Sequence, residues 1–172
     1  MKNDNSTKKI SSLRMVVRLW IGRLLLPAML CAAIAALAAH AVPGRGNVAG
    51  PVTVTPAGPG QVDLEINAAG IITHLGKSTV NLRLRADVSG SIPTPIPPST
   101  GVVTAANGDT VTFTLRWTLE EVGPGVFVPS GPFTITGGTG RFRGASGGGE
   151  YDGFVDMNTG EATAEITGEL AR

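Results

Sequence analysis

The chain has 172 residues, is close to neutral, and contains 24 glycines and 12 prolines but a single cysteine. One cysteine excludes an intramolecular disulfide framework, and the few lysines and arginines of residues 42–172 argue against the basic patch that nucleic-acid binding needs. Glycine well above the usual ~7% favours many tight turns over helices.

The amino-terminal part has the pattern of a secretory signal. Basic side chains are frequent within residues 1–23, the uncharged apolar segment Leu24–Ala39 follows, and Ala39-His40-Ala41 supplies small residues at both ends of a cleavage site. This pattern predicts a signal helix over residues 1–41, cleaved before Val42. Because the apolar segment is shorter than the ~20 residues that span a bilayer, an uncleaved anchor is the less favoured alternative. Met15 is an alternative start that would give a signal of more ordinary length.

Export predicts a secreted or periplasmic protein that meets the membrane only transiently, through its signal. Cleavage would also remove Cys31 and much of the positive charge, leaving a mildly acidic domain without disulfides. A lipid anchor on Cys31 is not expected, since the leucine three residues upstream that marks a lipoprotein signal is missing. We expect a Gly/Pro-rich lead-in or edge segment over residues 42–60, in which Val52 and Val54 could still pair as a short strand, and one domain over residues 61–172.

Beyond the lead-in, apolar and polar residues alternate with a period of two, which indicates strands. The segments 61–67 and 77–89 alternate in this way, whereas the proline-rich segment 92–99 predicts a stiff extended loop. Residues 110–120 give the clearest strand, with Val111, Phe113, Leu115, Trp117 and Leu119 on the inward face. Further strands are predicted over residues 71–75, 102–105, 126–128, 133–136, 150–156 and 162–170.

The connections favour a barrel over a sandwich. Asn107-Gly108 is a strong signal for a two-residue hairpin, and most other connections are equally short, whereas sandwiches need long Greek-key returns. We therefore predict an all-β protein, a single eight-stranded antiparallel barrel. The lumen of such a barrel is either filled by side chains or holds one small ligand.

The glycine-dense sequence FTITGGTGRFRGASGGG, residues 133–149, is the most distinctive motif of the chain. It differs from a dinucleotide-binding fingerprint because its third glycine comes one residue late and no helix is predicted to follow. We expect Gly137, Gly138, Gly140 and Gly144 to be turn or bulge glycines and Phe142 to plug the barrel end. Arg141 and Arg143 could attract an acidic ligand at the rim, or simply be solvated turn charges.

Candidate catalytic groups are few. His74 could serve as a general base, but a structural role in a turn beside Gly76 is favoured. A lone histidine cannot build a zinc site, and the spacing of Asp152, Asp156 and Asn158 does not follow a calcium loop, so neither a metal nor a cofactor is predicted.

Three segments together resemble the bacterial exported relatives of the dirigent and allene oxide cyclase barrels. They are THLG at residues 73–76, AANGD at 105–109 and ITGGTGRFRGASG at 135–147, and the resemblance spans roughly residues 61–170. It implies an eight-stranded barrel, often a homotrimer, whose plant members steer or catalyse ring closure of reactive small molecules inside the lumen. It supplies no catalytic residue.

The favoured hypothesis is therefore a small exported barrel that binds an apolar small molecule or acts as a structural or interaction module. Its predicted ligand contacts are Trp117, Phe113, Phe142, Arg141 and Arg143. The alternative is an isomerase or cyclase in which confinement steers ring closure, with His74 and Tyr151 as weak catalytic candidates.

Overall fold

Alternating apolar residues build a sheet of nine antiparallel strands in the computed structural model, which describes residues 40–172. The strands are β1 (Val42–Gly58), β2 (Gln61–Ile72), β3 (Gly76–Asp87), β4 (Thr94–Ala105), β5 (Thr110–Leu115), β6 (Thr118–Gly123), β7 (Val126–Gly138), β8 (Ser146–Asp156) and β9 (Glu161–Ala171). In residues 40–172 one 3₁₀ turn, Gly140–Phe142, lies between β7 and β8. No helix in this part of the chain has both the length and the apolar character needed to cross a bilayer. The predicted signal helix and Met15 lie outside the described residues.

The sheet closes on itself. Strands β5, β4, β3, β2, β1, β9, β8 and β7 are hydrogen-bonded in that order, and β5 also pairs with β7. The remaining strand, β6, pairs with the first part of β7, so β5 and β6 together occupy one position in the wall. This arrangement confirms the predicted eight-stranded antiparallel barrel.

The segment predicted as a lead-in, residues 42–60, is instead mostly strand. Residues 42–58 form β1, the longest strand at 17 residues, which pairs with β2 on one side and β9 on the other. The barrel wall therefore includes β1 from Val42 onward. The prolines misled the prediction: Pro43 and Pro51 both lie at paired positions, yet β1 keeps its ladder with β9.

The proline-rich segment 92–99 is also not wholly a loop. Its second part, from Thr94, begins β4 and pairs with the end of β3, although the register shifts between Arg83 and Arg85. Pairing on one side is compatible with proline because an edge position does not need the missing N–H group.

The strand predicted over residues 110–120 is broken at Arg116 and Trp117, which separate β5 from β6. The inward side of the prediction is correct, because Val111, Leu115 and Trp117 are all buried. The Arg116 N–H donates to the carbonyl of Pro132 across the break, at 3.0 Å. The hydrogen-bonded neighbours therefore change between β5 and β6, while alternate side chains continue to face the interior.

The two ends of the barrel differ. At the end we call the closed end, formed by the turns over residues 73–75, 106–109 and 139–145, Phe142 is 0% exposed and packs among buried aliphatic residues that include Ile72, Leu75 and Leu170. At the opposite end, which we call the mouth, Val54, Val88 and Met157 border the lumen and remain partly exposed. The interior is thus packed at one end and accessible at the other.

Candidate functional site: the barrel lumen

Inward-facing side chains leave a cavity of about 520 Å³ inside the barrel. This volume lies within the ~300–1,000 Å³ typical of small-molecule sites. Aliphatic and aromatic residues form most of its wall, among them Leu64, Leu84, Phe113, Trp117, Phe133 and Tyr151. Phe113 and Phe133 meet edge to face, with ring centroids 6.3 Å apart, which is a favourable aromatic geometry.

Two polar groups near the lumen are already hydrogen-bonded. The Trp117 indole N–H donates to the Ser99 hydroxyl at 3.1 Å, and this bond links the segment between β5 and β6 to β4. Near the closed end the Thr73 hydroxyl donates to the carbonyl of Arg45 at 2.9 Å. These groups stabilise the wall and are not available to a ligand without breaking those bonds.

The hydroxyl of Tyr151 is different, because it has no hydrogen-bond partner among residues 40–172. Tyr151 lies halfway along β8, and its ring packs against the cluster that contains Ala86, Leu115 and Trp117. Burial, and secondarily the negative charge of Asp152, raise the pKa of the Tyr151 phenol well above its usual value. The phenol is therefore a neutral donor at physiological pH.

The structure does not bring the two catalytic candidates together. His74 lies in the closed-end turn with a φ of 68°, and its Nε2 is 3.0 Å from the carbonyl oxygen of Pro43. This bond anchors the turn to β1, whereas Tyr151 faces the middle of the lumen. An acid–base pair made of these two residues is not assembled.

Of the residues weighed as calcium ligands, Asp152 lies within β8, whereas Asp156 and Asn158 contact each other in the turn that follows it. The Asp156 carboxylate accepts hydrogen bonds from the backbone and side-chain amides of Asn158, at 2.8 and 3.0 Å, and these bonds lower the pKa of Asp156. In residues 40–172 there is no group of three or more His, Cys, Asp or Glu side chains arranged to hold a metal ion.

The three motifs of the family resemblance meet at the closed end. Asp109, in the hairpin with Asn107 and Gly108, accepts a hydrogen bond from the backbone N–H of Arg141 at 3.2 Å. Thr110 and Thr139 are joined through their hydroxyls at 3.0 Å. These contacts fix the glycine-rich turn against the hairpin, so the motifs form a structural unit that covers the end of the barrel.

Of the predicted ligand contacts, Trp117 and Phe113 line the lumen. The other three lie at the closed end. Phe142 is fully buried among the aliphatic residues there, and Arg143 is exposed. The Arg141 guanidinium lies 4.8 Å from the centre of the Phe142 ring. The motif glycines Gly137, Gly140 and Gly144 have positive φ angles, and Gly138 lies where a side chain would overlap the carbonyl oxygen of Thr110.

Sequence reasoning missed a seam in the wall near the mouth. Strand β4 pairs with β5 only from Ser99 onward, and β6 pairs only with β7. Between residues 94–98 of β4 and residues 118–123 of β6, the described chain therefore has no strand pairing. The prolines at positions 95, 97 and 98 were the signal, because they cannot donate to a neighbouring strand.

Comparison of the chain with family models, curated proteins and solved structures gave no match. The resemblance to dirigent and allene oxide cyclase barrels therefore stays a prediction that rests on three short motifs. The function must be argued from the lumen itself.

Proposed function

We propose that this protein is an exported β-barrel that binds an apolar small molecule in its lumen. The observation that carries the proposal is the lining of the 520 Å³ cavity, which is made almost entirely of aliphatic and aromatic side chains. Such a wall offers a water molecule few of the two to four polar partners that it needs. It offers an apolar ligand dispersion contacts on all sides and removal from water.

Two other functions follow from different features. A purely structural or interaction module would use the outer wall, whose threonines and charged residues face solvent. A cyclase would use the same lumen to hold a reactive substrate in one conformation, and Tyr151 is the lumen group that could assist it. Ligand binding is preferred because it requires neither a partner nor an assembled acid–base pair.

The proposal is tested by titrating the purified full-length chain with N-phenyl-1-naphthylamine, a neutral dye that fluoresces in apolar surroundings. We expect saturable binding by the wild type. Replacing Ala164, which lines the lumen on β9, with phenylalanine fills part of the cavity, and we expect dye affinity to fall about tenfold or more.

Ala49→Phe is the matched control, because Ala49 lies on the adjacent strand β1 but is exposed on the outer face. It adds the same side chain without entering the lumen, so dye binding should be unchanged. Equal loss in both variants, or no binding by the wild type, would contradict a lumen site.

Native mass spectrometry of protein purified gently from its own host provides a second test. A reproducible non-covalent adduct would identify the natural ligand, and the same spectrum would report whether the barrel is a trimer. An adduct that persists in Ala49→Phe but disappears in Ala164→Phe would place the compound in the lumen.

A further inference from the structure

We propose that the lumen selects a neutral, elongated apolar molecule that carries one hydrogen-bond acceptor oxygen, and that the Tyr151 hydroxyl donates to this oxygen. The inference rests on the proposed function, since it names the class of ligand for the same cavity. A long-chain ketone or ether has the required chemistry.

Other polar side chains near the lumen already have hydrogen-bond partners. The Trp117 indole donates to Ser99, the Thr73 hydroxyl donates to Arg45, and His74 contacts Pro43. Two lining residues, Tyr151 and Thr163, have hydroxyls without a hydrogen bond in residues 40–172, and Thr163 is exposed and pairs with the outward-facing Ala49. The Tyr151 side chain is partly buried and its hydroxyl is the free donor of the apolar lumen, so a ligand that accepts its hydrogen bond is favoured over a plain hydrocarbon.

The inner wall beside the Tyr151 ring carries few side chains. Tyr151 pairs with Gly131 on β7, and the residues two positions before and after it on the same face of β8 are Gly149 and Gly153. Three of its four nearest inward-facing positions thus carry no side chain, and the fourth is Ile166 on β9. The wall therefore leaves the phenol uncovered and reachable from the lumen.

The charges around the cavity favour a neutral ligand. The charged side chains that border the cavity are Arg45 and Glu169, which are exposed, of opposite sign, and toward the closed end of β1 and β9. Within residues 40–172, no lysine or arginine borders the cavity beside Tyr151 to pair with a carboxylate. Burying an unpaired carboxylate in such surroundings is costly, so a fatty acid is disfavoured relative to a neutral compound of the same length.

The test compares three probes with the same chain length, 2-dodecanone, 1-dodecene and dodecanoate, as competitors of bound N-phenyl-1-naphthylamine at neutral pH. For the wild type we expect the ketone to displace the dye at concentrations about threefold to tenfold lower than the alkene, the gain of one neutral hydrogen bond. Dodecanoate should be the weakest competitor. In Tyr151→Phe the ketone should lose its advantage while the alkene competes as in the wild type.

Unchanged competition by the alkene also shows that Tyr151→Phe is folded. If the ketone keeps its advantage in Tyr151→Phe, or if dodecanoate competes best, the inference is wrong although lumen binding stands. If neither ketone nor alkene displaces the dye, the proposed function fails and the inference fails with it.

Infrared spectroscopy gives a readout that a merely structural role for Tyr151 would not move. The carbonyl stretch of ¹³C-labelled 2-dodecanone should shift to lower frequency when bound to the wild type, because a donated hydrogen bond weakens the C=O bond. In Tyr151→Phe the bound ketone should absorb as it does in an alkane solvent. An identical carbonyl frequency in the two proteins would overturn the assignment.

Discussion

Glycines on the inner face set how closely neighbouring strands approach. Gly149 on β8 pairs with Gly168 on β9, and Gly168 pairs in turn with Gly44 on β1. A methyl group added at Gly149 would overlap the carbonyl oxygen of Thr167, whereas one added at Gly44 would meet no atom within 4 Å. These neighbouring glycines therefore differ sharply in what they tolerate.

We predict that Gly149→Ala lowers the free energy of unfolding by about 1–3 kcal/mol, since relief of the overlap requires the backbone to move. The matched change Gly44→Ala should stay within about 0.5 kcal/mol of the wild type. Denaturant unfolding followed by circular dichroism measures both. Equal stability of the two variants would show that the close approach is not maintained in solution.

The hydrogen bond between Ser99 and Trp117 is expected to contribute to the stability of the fold. Both side chains are buried, so Ser99→Ala leaves the indole N–H without a partner and should cost about 1–3 kcal/mol. Ser78→Ala is the control: Ser78 is equally buried, but its hydroxyl donates to the carbonyl of Gly76, an exposed residue at the start of β3. Water can replace that donor, so the control should lose less stability, and a reversed order would contradict the reasoning.

Among the elements, β6 is the least supported strand of the wall. It has six residues and pairs with β7 alone, while β2 has twelve and pairs with both β1 and β3. The seam beside β6, next to the mouth, is where main-chain hydrogen bonds do not hold the wall together. A ligand entering from the side would meet the least resistance there.

We therefore predict that backbone amides of β6 exchange with deuterium fastest among the nine described strands, and those of β2 much more slowly. Local opening needs fewer broken hydrogen bonds at a strand paired on one side. Exchange followed by mass spectrometry of peptides tests this. Protection of β6 as strong as that of β2 would show that the seam is closed by interactions other than strand pairing.

At the scale of the whole molecule, outward carboxylates are stabilised in their charged form. Arg85 donates to Asp63 at 2.7 and 2.9 Å, Asn81 donates to Glu65 at 2.8 Å, and these bonds lower the pKa of both acids. Ser89 lowers the pKa of Asp87 in the same way. A carboxylate with a lowered pKa contributes stability above its unfolded pKa, and that contribution is lost as the pH falls through the folded pKa.

The melting temperature should accordingly be nearly constant near neutral pH and fall below about pH 4. Asp63→Asn should make this fall shallower, because the variant no longer has that carboxylate to protonate. Glu161→Gln is the control, since the Glu161 side chain makes no hydrogen bond or ion pair in the described chain. Differential scanning calorimetry across this range checks the prediction, and identical curves for Asp63→Asn and the wild type would contradict it.

The sequence alone predicted most of the strands and the residues that face inward. Period-two alternation is a local property, so Val111, Leu115 and Trp117 were correctly expected to face inward, and short hairpins correctly indicated a barrel. Proline was the main source of error, because whether a missing N–H matters depends on which neighbour a strand has. For that reason β1 was expected only as a lead-in or edge segment with a short strand at Val52 and Val54, and the start of β4 was expected to be a loop.

The hollow lumen and the place of the Tyr151 hydroxyl in it follow from the fold rather than from the sequence. The size of a cavity depends on how side chains from all the strands meet across the barrel, and no stretch of sequence records those distances. Tyr151 was named from the sequence as a candidate, but its unpartnered hydroxyl follows from Gly131, Gly149 and Gly153 lying beside it. Local patterns fix the direction of each side chain, and long-range pairing fixes what that side chain meets.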